Sequence, residues 1–173
     1  MRPRKSPLWH RLIVQPGQER VRFFYDAGGQ ISFLYGEHRG SMPRNSAYFA
    51  YGVSLMIDAD AHTADALNVY TDGVVQFAFG SSVLADWPAR LVASDSSRLR
   101  TFLADEVMRD PTSGNEVELD MLTPTRSLTV SGRPLALTAL TAWSLDLHLP
   151  KPVTKPTGIM GVVHGIGLRG IDS

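Results

Sequence analysis

The stretch SAYFAYGVSLMID, residues 46–58, decides how this chain is read. Phe49, Tyr51, Val53, Leu55 and Ile57 fall on every second position, with Tyr48, Ala50, Gly52, Ser54 and Met56 between them. A period of two marks a strand, because successive side chains leave a pleated backbone on opposite faces. The first set is expected to face a core, where each large side chain contributes ~1.5–3 kcal/mol on burial. A charge at Val53 or Leu55 should therefore unfold the domain. The second set is uncharged and mixes small, aromatic and weakly polar residues, which is the character of a surface packed on another protein. Tyr48, Gly52, Ser54 and Met56 are thus expected at a subunit interface.

The same rhythm extends in both directions. LWHRLIV (8–14), ERVRFFYD (19–26), ISFLY (31–35), VVQFAF (74–79), VELDML (117–122), SLTV (127–130) and PLALTAL (134–140) all read as strands. TAWSLDLHLP (141–150) places Trp143, Leu145, Leu147 and Leu149 inward and Ser144, Asp146 and His148 outward, and IMGVVHGIGLRGI (159–171) closes the series. SVLADWPARLV (82–92) predicts two short strands around Pro88. Glycine and proline clusters at 16–18, 28–29, 36–45, 110–115 and 151–158 supply turns and loops. Two segments change period: residues 59–73, and 94–107 with its helix-capping start, each predict a short helix. Many short strands without a βαβ repeat indicate an all-β sandwich or barrel. The expected architecture is a single jelly roll of about eight strands with one or two helices in its connections. One domain over 8–173 would follow an extended arm at 1–7.

Bulk composition narrows the function. A chain of 173 residues with 43% hydrophobic and 20% charged residues suits one globular domain. Lysine plus arginine equals aspartate plus glutamate, 17 each, which gives little long-range pull on nucleic acid and favours self-association. The absence of cysteine rules out disulfide frameworks and thiolate metal sites. No run approaches the roughly 20 apolar residues of a membrane-spanning helix, and no secretory leader is expected from MRPRKSPLWHRLIV.

Candidate chemistry is sparse. Asp58, Asp60, His62 and Asp65 are closely spaced donors, but a calcium hand would need glycine and glutamate where Thr63 and Val69 stand. A solvated strand-to-helix loop with an acidic helix start is the commoner meaning. Glu37, His38 and Arg39 are consecutive, which suits a polar loop tip better than convergence on one reacting atom. The histidines at 10, 38, 62, 148 and 164 form neither HxH nor HExxH, and GxSxG and phosphate loops are absent. No catalytic residue, cofactor, metal or small-molecule substrate is expected. Arg2, Arg4 and Lys5 form a basic arm able to touch a neighbouring subunit, a membrane or a genome. Gly165 and Gly167, in a glycine-rich final strand, point to bending or to close approach of a second subunit.

The order of RFF (22–24), MPRNSAYFAYGVSLMI (42–57), VQFAFG (75–80), GRPLALTALTAWSLDLHLP (132–150) and VVHGIGLRGI (162–171) resembles the single jelly-roll major capsid proteins of tailless icosahedral viruses with internal membranes. The sphaerolipovirus-type small coat protein is the nearest pattern. The resemblance implies a virion structural protein made in the host cytoplasm. It implies partnership with itself as dimer or larger capsomer and with a second coat protein, and it brings no catalytic residues. A β-sandwich binding module, for carbohydrate or as a phage tail or fibre domain, fits the same strands and would show exposed aromatics among Trp9, Trp87 and Trp143.

Overall fold

The computed structural model describes residues 2–5, 7–25, 28–31, 41–42, 44, 46–58, 60–93 and 126–169. In chain order these form β1 (Arg2–Lys5), β2 (Leu8–Val14), β3 (Arg20–Phe23), β4 (Gln30–Ile31), β5 (Ser46–Ile57), α1 (Thr63–Asp72), β6 (Val74–Phe79) and β7 (Ser82–Pro88). A 3-10 turn (Ala89–Leu91) follows, then β8 (Arg126–Ser127), β9 (Thr129–Val130), β10 (Arg133–Thr138), β11 (Trp143–His148) and β12 (Thr157–Arg169). The expected helix at 94–107, loop at 110–115 and strand at 117–122 lie outside the described residues, as do Glu37, His38, Arg39 and residues 32–35.

The protein is all-β in kind, with two antiparallel sheets and one described α-helix. The larger sheet runs β4-β2-β12-β5-β10-β9, with β1 added to β12 and β8 to β5; the smaller runs β3-β11-β6-β7. The pairing is nested: β2 pairs with β12, β3 with β11, β5 with β10 and β6 with β7. One core fills the space between the sheets. It takes Leu8, Leu12 and Val14 from β2, Val21 and Phe23 from β3, Val75 and Phe77 from β6, and the inward set Trp143, Leu145 and Leu147 from β11. The sheets approach so closely at Gly161 that an added Cβ would sit 2.7 Å from the Phe23 ring and 3.0 Å from Leu145. Only the absent side chain lets β12 lie there.

The long strand β5 departs from strict alternation. Phe49 and Tyr51, expected in the core, are each 36% exposed, whereas Tyr48 and Ala50 are buried. Beyond Gly52 the expectation holds, with Val53, Leu55 and Ile57 inside. The cause is a bulge. Gly52 faces His164 and Ala50 faces Gly165, so Tyr51 has no residue opposite it and the inward parity moves by one. Tyr48 then lies inside with its hydroxyl donating to the Val163 carbonyl at 2.9 Å.

Other boundaries follow local chemistry. Strand β3 stops at Phe23 because Phe24 takes a φ of 63°. The segment around Pro88 is one strand and a 3-10 turn rather than two strands. Proline has no N–H with which to continue a ladder. The turn Ser131–Gly132 has φ of 52° and 76°, the two positive values a tight β9–β10 hairpin requires. The basic arm is also a strand: Arg2, Pro3, Arg4 and Lys5 pair with Arg169, Leu168, Gly167 and Ile166.

Candidate functional site

Several of the polar residues singled out by the sequence are committed to partners within the chain. His10, on the inward face of β2, accepts a hydrogen bond at Nδ1 from the Phe24 N–H at 2.8 Å, and its Nε2 lies 2.9 Å from the Gly28 carbonyl. That clamp holds the strained turn after β3. Asp58 pairs with Arg11, whose Nε lies 3.1 and 3.0 Å from its two carboxylate oxygens. The pair lies flat across Gly158, where a Cβ would meet both partners.

Asp65, in the first turn of α1, is buried and fastens the loop before β12. It accepts from the Thr154 N–H at 2.8 Å, the Lys155 N–H at 3.0 Å and the Thr154 hydroxyl at 3.0 Å. Burial pushes its carboxyl up, but these donors, with His62 3.5 Å away, outweigh burial and hold it below the ordinary carboxylate range. The acidic 58–65 loop is thus used as a structural clasp at Asp58 and Asp65. Among the described residues no group of three or more histidine, aspartate or glutamate side chains is arranged to hold a metal ion.

On the outer face of the small sheet, Asp146 of β11 is 1% exposed. It accepts from Arg20 Nη2 at 2.8 Å, Arg22 Nε at 3.0 Å and the Ser144 hydroxyl at 3.2 Å. Arg22 also lies over the Tyr25 ring, 5.0 Å from its centre. The register Asp146↔Arg22 and His148↔Arg20 brings these groups together.

One constellation was not legible beforehand. Ser54 Oγ and His164 Nε2 are joined at 2.6 Å on the outer face of the large sheet, and both side chains are buried. Burial pushes the His164 imidazole down to about 4, so it is neutral at pH 7. A serine beside a neutral histidine is the first half of a nucleophilic pair. Here Ser54 is closed to solvent, and the contact works as a polar rivet between β5 and β12. Finding it needed the β5–β12 register; His148 belongs to the other sheet.

The expected interface residues lie mostly inside. Tyr48, Gly52, Ser54, Gly165 and Gly167 are buried within one chain, and only Met56 of that set is half-exposed. The physical reason is the bulge at Tyr51 for Tyr48, and coverage within the chain for Ser54. Gly165 is required by close approach, as expected, but the neighbours are this chain's own Tyr48 ring and Phe49 carbonyl.

A cleft of about 590 Å³ separates β7 from residues 127–131. Leu84, Asp86 and Trp87 form one wall, with Leu128, Val130 and Leu135 on the other. Val83 and Leu84 of β7 are 55% and 41% exposed. The sequence offered no sign of this site, because its two walls are some forty residues apart and neither carries a motif. Comparison of the chain with protein families, curated proteins and solved structures finds no match.

Proposed function

We propose that this protein is a structural subunit that assembles with copies of itself: a coat protein of single jelly-roll fold in an icosahedral virus shell. The observation that carries the reading is the nested pairing, β2 with β12, β3 with β11, β5 with β10 and β6 with β7. A ribbon of four antiparallel pairs wrapped into two sheets is how a jelly roll is constructed. The commitment of His10, Asp58, Asp65 and Asp146 to internal partners supports a framework role for these groups. Equal numbers of acidic and basic residues, 17 each, leave no net repulsion between copies. The virion setting rests on the sequence resemblance, as do a second coat protein and an underlying membrane. Concentration-dependent mass, measured by light scattering and imaged by electron microscopy, tests the reading. Dimers, capsomers or shells are expected; a strict monomer at millimolar concentration would overturn it.

A second reading has one observation in its favour. Trp87 and Asp86 line the cleft with Ser127, Thr129 and Ser131. An indole face, a carboxylate and hydroxyls are groups that recognise sugars, and the volume falls in the range of ligand sites. A glycan array and Trp87 fluorescence quenching by the best-scoring sugar would test this binding-module alternative.

A further inference from the structure

We infer that β7 is a pairing edge, and that the strand completing it is β7 of a second copy of this chain, antiparallel across a two-fold axis. The inference rests on the subunit reading above and specifies where two copies meet.

The backbone makes the first argument. β7 ends the order of the small sheet. Its ladder is with β6, and no hydrogen bond joins its outer side to another described residue. A row of unpaired N–H and C=O groups is a template for another strand. Five other edge strands among the described residues are poor templates. β4, β8 and β9 have two residues each, β3 carries Arg20 and Arg22, and β1 carries Pro3 among three basic residues. β7 has seven residues, with no charge from Ser82 to Ala85 and with Val83 and Leu84 exposed.

The side chains make the second argument, for a copy of itself as occupant. An antiparallel pair is self-complementary under a two-fold axis. The axis runs normal to the sheet and opposed residues share a face, so it must pass through one position: at Leu84 it sets Leu84 opposite its own copy, Val83 opposite Ala85 and Ser82 opposite Asp86. The apolar residues then cover each other, and Asp86 does not face its own copy, which would be destabilising. Leu84 already stands apart from the β6 ladder, where the register shifts between Phe77 and Ala78, so its side chain is available at the cleft mouth. The two four-stranded sheets become one continuous sheet of eight.

The test uses the absence of cysteine from the chain. The full-length L84C chain is mildly oxidised. A disulfide between two copies of position 84 is expected, reversed by dithiothreitol. The L140C chain, whose leucine is 98% exposed elsewhere, should give only background. The V83K/L84K variant, at two exposed positions and with its fold checked by circular dichroism, should weaken self-association about tenfold or more. If the wild type assembles but V83K/L84K assembles equally well and no 84–84 disulfide forms, the edge proposal falls and the subunit reading stands. If the wild type never associates, both fall.

Discussion

The two edges of the small sheet are built in opposite ways. At β3 the edge is four residues long and carries Arg20 and Arg22, both drawn onto the buried Asp146 of the neighbouring strand. At β7 the edge is seven residues long, and its uncharged half carries exposed Val83 and Leu84 beside a cleft. A charged, short edge discourages strand addition, and a long apolar one invites it. The difference teaches that exposure on this molecule is not spread evenly. One flank is closed by its own ion pairs, while the other presents exposed apolar side chains.

The comparison can be broken at several points. The largest effect is expected from Asp146→Ala, which strands two arginines at the closed edge. Allowing for the partial exposure of both arginines, urea unfolding should show a loss of about 2–4 kcal/mol. A loss below ~0.5 kcal/mol would mean that the ion pairs do not close that edge.

Acid should also act at the centre of the large sheet. The His164 imidazole sits at about 4 in the fold against an ordinary value of 6.5. Its contribution is complete above pH 6.5 and is lost as pH falls toward 4, because the unfolded chain takes up the proton first. The loss amounts to about 3 kcal/mol across that window. His164→Asn should flatten this part of the stability–pH curve; an unchanged slope would show that another group is responsible.

Smaller effects separate the two edges directly. Arg22→Ala should cost about 1–2 kcal/mol, since it removes a charge-assisted hydrogen bond to a buried carboxylate. Leu84→Ala should change monomer stability by less than ~0.5 kcal/mol. Equal costs by urea denaturation would erase the distinction. Smallest of all is the response to chelators. Asp58 and Asp65 already hold Arg11 and the Thr154–Lys155 loop, so EDTA should leave the melting temperature where it is.

Much of this architecture was legible from periodicity alone. The inward set of β11, the long β12 and the helix over 63–72 follow from residues that agree with their neighbours in period. The faces of β5 were only half legible. Its sequence alternates without a break, and the parity change at Tyr51 comes from the partner strand. The Ser54–His164 rivet and the Asp146 cluster were hidden for the same reason, since each depends on register between strands more than a hundred residues apart. Within α1, Leu67 is exposed, while Ala66, Val69 and Tyr70 are buried. Helical spacing identifies a stripe without saying which way it turns. The cleft had no sequence signal, because an edge is defined by what does not pair with it.

Amide hydrogen exchange across a range of protein concentrations tests the central claim most directly. The outward amides of β7 should gain protection as concentration rises, with those of β3 unchanged. Equal, concentration-independent exchange at both edges, in a sample shown to be associated, would contradict the assignment of β7 as the meeting edge.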